Sequence, residues 1–203
     1  MRPYPPIDLV QSHVDDFRPA PDLEEWVTDT FINEGAPLEN PDHQHLRSAH
    51  LGFLWTNVEN ARRGRRILGT CQIMPPQGEP WGAGRAEFQL RGWFGAVPDF
   101  LITIHANSAM EMGNAEFMAL IEHELYHAGQ AKDEFGQPKF SKLTGRPIFT
   151  TRPHDIEEFV GVVARYGADA AGVRAMVAVA NKGPSIAEAR IDRSCGTCLR
   201  LVK

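Results

Sequence analysis

The segment His123-Glu124-Leu125-Tyr126-His127 sets two imidazoles four residues apart, with a carboxylate directly after the first. On an α-helix, residues i and i+4 lie one turn above each other and about 40° apart around the axis, so both rings can reach one ion. Glu124 projects beside them, placed to take a proton from water rather than to ligate. This is the H-E-x-x-H pattern, in which two His hold Zn2+ and the Glu acts as general base. Zn2+ held by neutral ligands with one open position lowers the pKa of water to about 7. The chemistry that this spacing predicts is therefore hydrolysis at neutral pH.

A catalytic zinc site needs a third protein ligand as well as an open position. His154 stands immediately before a helix expected to begin at Asp155, where the turn holds its side chain while leaving it free to point inward. Glu157 and Glu158 fall in the first turn of that helix, and Glu158 also suits a reciprocal capping role with Asp155. Asp133 lies six residues after His127, where the pattern H-E-x-x-H-x-x-G-x-x-H puts its third ligand, with Gln130 in place of the Gly. These residues remain alternatives at this stage. No oxyanion donor is assigned: Tyr126 projects from the side of the helix away from Glu124, and Tyr166 lies about 18 Å along its own helix from His154.

EHELYHAG, followed after a gap by PHDIEEFVGVVARYG, resembles the zincin metallopeptidases of the SprT-like group, in particular those encoded by phages and prophages. That group carries an H-E-x-x-H helix and then a third His directly before another helix, in a pattern similar to H-G-x-E-F/W. Here His154-Asp155-Ile156-Glu157-Glu158-Phe159 occupies that slot, with Asp155 where Gly is usual. The resemblance covers residues 97–167 and implies a metal-dependent peptidase with His123, His127 and His154 as ligands and Glu124 as general base and acid. The paired-Cys ribbon common after such domains is represented here only by Cys195 and Cys198.

Several elements must position these residues. Asn114 reads as a cap, and AEFMALIEHELYHA runs to Gly129, with Phe117, Ile121, Leu125 and Ala128 forming a core stripe separate from the His pair. FLITIH, Phe100–His105, is short, β-branched and bounded by Pro98 and Asn107-Ser108, so it reads as a strand, and as the edge on which a peptide substrate would pair. A second strand is expected around Ile67–Met74. Helices are expected over Asp22–Asn33 (Asp22 as cap), His45–Asn60, Asp155–Gly167 and Ala168–Ala180. Residues 75–95, rich in Gly and aromatics, read as a loop with some extended structure, and residues 131–153 as a loop or irregular hairpin. Prolines at 3, 5, 6, 19 and 21 suggest that residues 1–22 form an extended arm that packs late or not at all.

Other groups have more ordinary readings. Cys195-Gly196-Thr197-Cys198 has the spacing of half a structural zinc site, or of two reduced thiols in a tail. Arg62, Arg63, Arg65 and Arg66 form a compact basic turn that could touch nucleic-acid phosphates, although a solvated turn is the commoner explanation. His43, His45 and His50, near Asp42, are expected at the surface or at caps. Trp55, Trp81 and Trp93 are expected in the core or lining a groove, and His105 is expected to bond to backbone.

With 42% hydrophobic and 23% charged residues, the 203-residue chain falls outside the disordered and fibrous classes. No apolar run approaches the roughly 20 residues that span a bilayer, and the opening MRPYPPIDLVQSHVDD lacks the apolar core of a secretory signal. Three Cys do not make a disulfide scaffold, and a net charge of −5 argues against coating nucleic acid by charge alone. The expectation is an α+β, zincin-like fold, a small sheet packed against the H-E-x-x-H helix with additional helices. It comprises a Pro-rich arm (1–22), one metallopeptidase domain (23–193) and a short tail (194–203). The expected function is a Zn2+-dependent peptidase acting on protein or peptide substrates in the cytoplasm of a bacterial or phage-infected cell. The alternatives are a binding protein whose zinc is structural, or a protease associated with nucleic acid.

Overall fold

The computed structural model describes residues 1–62, 65–156, 160–170 and 173–187. In chain order the elements are α1 (Ile7–Val10), β1 (Phe17–Pro19), α2 (Pro21–Val27) running on into a π-helical turn (Thr28–Ile32), and a 3-10 helix (Pro41–Ser48). β2 (Leu51–Thr56), a two-strand ribbon of β3 (Ala61–Arg62) and β4 (Arg65–Arg66), and β5 (Gly69–Ile73) follow. Then come α3 (Pro80–Phe94), β6 (Phe100–His105), α4 (Ala106–Glu111), α5 (Asn114–His127), β7 (Ala128–Gln130) and β8 (Phe149–Thr151). The last two are α6 (Val160–Ala170), whose backbone breaks at Gly167, and α7 (Arg174–Ala180). The architecture is α+β, with a small mixed sheet and helices on both of its faces. Among the described residues no helix is long and apolar enough to cross a membrane.

The sheet runs in the order β1-β2-β6-β5, with β2 and β6 parallel and the two outer strands antiparallel to them. Alternation along β6 sorts the two cores. Phe100, Ile102 and Ile104 pack with Phe53, Trp55, Phe117, Leu120 and Ile121 on the α2 and α5 face. Leu101 turns the other way, to Leu54 and Leu90 beneath α3. Phe117 of α5 stacks on Trp55, ring centroids 6.0 Å apart, and meets Trp26 at 5.8 Å. These contacts fix the height of the H-E-x-x-H helix over the sheet.

Several expectations are corrected. The helix expected over His45–Asn60 is instead the end of a 3-10 helix followed by β2, every residue of which is buried. A strand covered on both faces loses its period-two alternation, and its continuous apolar run then resembles a helix face. Residues 80–94, expected as loop, form α3. The Glu79 carboxylate accepts from the N–H groups of Trp81 and Gly82, both at 2.9 Å, Pro80 occupies the first turn, and Gly95 ends the helix at φ 75°. Three internal glycines each cost about 1 kcal/mol in such a helix, a cost offset by burying Leu90 with Trp93 and Phe94 against the sheet.

β6 has the expected bounds but is not an edge: it is hydrogen-bonded on both sides, and the sheet edges are β1 and β5. α2 starts at Pro21 after Ala20, so Asp22 does not cap it. The N-terminal arm is packed against the body. β1 pairs with β2, Leu9 and Ala20 lie in the core, and the buried Arg2 guanidinium donates to the carbonyls of Ala109 (3.1 Å) and Met112 (2.6 Å).

Candidate metal centre

α5 begins at Asn114 rather than being capped by it. Gly113 precedes the helix, and the Glu116 carboxylate accepts from the Gly113 N–H at 3.1 Å. Phe117, Leu120, Ile121 and Leu125 are fully buried, and that stripe leaves His123 and His127 on an adjoining face. The helix passes directly into β7, and the β7–β8 hairpin returns the chain antiparallel, Ala128 opposite Thr151. The segment 152–155 is thereby laid alongside the last turn of α5, and His154 arrives opposite His123.

The result is a cluster of three imidazoles. Nε2 of His123 lies 3.2 Å from Nε2 of His127 and 3.2 Å from Nε2 of His154. The three ligand atoms all lie within 4.8 Å of one another. Two nitrogens bound to one tetrahedral Zn2+ at 2.0–2.1 Å are separated by about 3.3 Å, so the spacing matches that of ligands to a common ion. The tautomers agree as well. Nδ1 of His127 sits 2.7 Å from the carbonyl oxygen of Arg152, which can only accept, so Nδ1 carries the proton and Nε2 presents a lone pair.

Burial, reinforced by the neighbouring imidazoles of His127 and His154, pushes His123 down to about 4. Burial also lowers His127, against the opposing effect of the Arg152 carbonyl. Both rings are therefore neutral at pH 7, the form that binds a metal. His127 is buried, His123 half-buried and His154 exposed, so the cluster opens toward solvent on the His154 side.

Glu124, fully buried, points toward β5. A Cβ on Gly69, the first residue of that strand, would lie 2.9 Å from Oε1 and 3.1 Å from Cγ of Glu124. The missing side chain at position 69 is thus the space in which the carboxylate sits. Sequence reasoning missed Gly69; the only available signal was a glycine inside the strand expected around Ile67–Met74.

The other expected residues fall as follows. Asp133 lies in a turn, where its Oδ1 accepts from the N–H groups of Phe135 (2.9 Å) and Gln137 (2.8 Å), and it is not part of the cluster. Glu157, Glu158, Cys195 and Cys198 lie outside the described residues, as does Arg63. Tyr126 donates to Asp42 (3.1 Å) and accepts from Asn40 (2.9 Å), and burial pushes its hydroxyl pKa up. Tyr166 is exposed.

His43, expected at the surface or at a cap, is buried edge-on to Tyr126, ring centroids 4.8 Å apart. His45 Nε2 donates to the Ala128 carbonyl at 2.7 Å. His105 bonds through Nδ1 to Ser108, capping α4. Trp55 is in the core, whereas Trp81 is exposed. A cleft of about 670 Å³ lies beside the cluster, between the 3-10 helix and the β7–β8 hairpin, with Tyr126, Gln130, Arg152 and Asp155 in its walls.

Residues 24–181, more than half of the chain, match the family model described as putative phage metallopeptidase. No curated protein and no solved structure matches the chain.

Proposed function

The chain belongs to this family of phage metallopeptidases, and on that premise we propose that it is a zinc-dependent peptidase of zincin type, related to the SprT-like group. His123, His127 and His154 are the ligands and Glu124 is the general base. The single observation that carries the reading is the convergence of three Nε2 atoms, two pairs at 3.2 Å, beside a buried carboxylate. A hydrolase needs an open coordination position, and the exposure of His154 supports one.

Bound there, a divalent ion supplies Lewis acidity toward the scissile carbonyl and raises the acidity of the attacking water. The protein's own groups do the rest. Glu124 takes the proton from the attacking water and passes it to the leaving amine as the peptide bond breaks. The Arg152 carbonyl keeps His127 in the tautomer that leaves Nε2 unprotonated. The Tyr126 hydroxyl, engaged by Asn40 and Asp42, is not assigned to the oxyanion. With β6 internal, the edge strand assigned to pairing with an extended peptide is β5 rather than β1, because its Gly69 abuts Glu124. The catalytic unit, expected over residues 23–193, takes in the packed arm that contributes β1, Leu9 and Ala20, and it acts in the cytoplasm of a bacterial or phage-infected cell.

Glu124→Gln tests this reading. Peptide hydrolysis is expected to fall by about 100-fold or more, the range of a general base, while bound zinc stays near one per chain. Full hydrolysis by the variant would refute the assignment. Zinc retained by an unaltered chain that hydrolyses no peptide would instead favour a structural site.

A further inference from the structure

The third imidazole reaches the cluster on a segment with no regular secondary structure, Arg152–Asp155, which leaves the question of what holds it. Arg152 touches both sides of that segment. Its guanidinium donates to Asp155 Oδ1 at 2.6 Å, closing a short loop around His154. The same guanidinium lies over the Tyr126 ring, 5.4 Å from its centroid, one residue before His127 on α5. Tyr126 is in turn fixed by Asn40 and Asp42 from the 3-10 helix region. The Arg152 backbone serves the cluster too: its carbonyl accepts from His127, and its N–H donates to the His127 carbonyl at 2.9 Å. Gly129 allows this close approach: a Cβ there would lie 3.1 Å from the Cβ of Arg152.

We infer that the Arg152 side chain is a positioning residue for the metal centre, a latch that holds the His154 segment against α5 through Asp155 and the Tyr126 ring. The inference rests on reading the three-His cluster as a metal centre. An ion pair with both partners substantially exposed contributes little to folding. The effect of the latch is therefore expected on the geometry of His154 and not on the stability of the domain. Lys at position 152 would keep the charge but lose the planar fork that can serve a carboxylate and lie over a ring together.

The test is zinc affinity of the full chain, measured by competition with a chromogenic chelator, for the unaltered protein, Arg152→Ala, Arg152→Lys, Asp155→Asn, His154→Ala and the Arg152→Ala/His154→Ala double variant. Thermal unfolding of each metal-free chain serves as the folding control. Outer partners of metal ligands are commonly worth about 10–100-fold in affinity. Arg152→Ala and Asp155→Asn are expected to weaken zinc binding by about tenfold or more, and Arg152→Lys to recover only part of the loss. In the His154→Ala background, Arg152→Ala should add less than about twofold, because a latch acting through His154 has nothing left to position. Affinity within about twofold of the unaltered chain in both Arg152→Ala and Asp155→Asn, beside a loss in His154→Ala, overturns the latch alone. An equal Arg152→Ala loss in both backgrounds also overturns it. Unchanged affinity in His154→Ala overturns the metal-centre reading, and the latch with it.

Discussion

A methyl group at position 69 would fall 2.9 Å from a carboxylate oxygen of Glu124, closer than unbonded atoms tolerate, and the carboxylate belongs to a fully buried side chain with little room to retreat. Gly69→Ala therefore acts on the proposed general base without touching a proposed metal ligand. Overpacking of this kind costs about 1–3 kcal/mol of stability, and a displacement of the base approaching 1 Å lowers turnover by about 100-fold. The expected outcome is reduced kcat with zinc still bound at one per chain, checked by peptide hydrolysis, metal analysis and urea denaturation on the same sample. Unchanged kcat would mean that Glu124 does not need its present position. The sequence showed a glycine at position 69 but not its recess, because the partner lies 55 residues away and only the packing of α5 on β5 brings the two together.

At the scale of elements, α5 is positioned from below by Trp55, on which its Phe117 stacks, and from the side by the N-terminal arm. Arg2 donates to two carbonyls at the C-terminal end of α4 and lies over the Phe117 ring, 4.5 Å from its centroid. Removing a buried charged donor leaves those carbonyls short of a partner, a loss of about 2–3 kcal/mol. Arg2→Ala is expected to lower the urea midpoint with no change in the m-value; an unchanged midpoint would show that the arm does not brace the helices. Two elements were the most legible, the one that carries the His pair and the central strand beneath it. α5 combines a helical stripe with its His pair, and β6 is a short β-branched run between clear stops. β2 and α3 were misread for opposite reasons. β2 is buried on both faces, so it lost its alternation, while α3 owes its helicity to packing of Leu90, Trp93 and Phe94 that outweighs its glycines. The approach of His154 could be named from its place before a helix, but the latch formed by Arg152, Asp155 and Tyr126 depends on the hairpin's return and left no local pattern.

For the whole molecule, buried histidines make stability pH-dependent, His43 and His123 foremost among them. Burial, the larger cause in each case, pushes His43 and His123 down to about 4, with His45 acting in the same direction on His43. Unfolded histidines titrate near 6.5, so between pH 6.5 and about 4 the unfolded chain binds protons that the native chain refuses, and native stability falls as pH falls through that window. Above pH 6.5 this contribution is complete and flat. His43 alone accounts for up to about 3 kcal/mol across the window. Urea unfolding of the metal-free chain at pH 8, 6 and 4.5 should show the decline, with a shallower slope in His43→Phe; equal slopes would contradict the assignment to His43. The central claim, that the three imidazoles form one open metal site, is tested most directly by zinc K-edge X-ray absorption on the full chain loaded with one equivalent of Zn2+. The account predicts nitrogen and oxygen scatterers at about 2.0–2.1 Å, with the outer-shell signature of three imidazole rings and one remaining light ligand. A sulfur shell at about 2.3 Å, placing the ion at cysteines instead of at His123, His127 and His154, would contradict it.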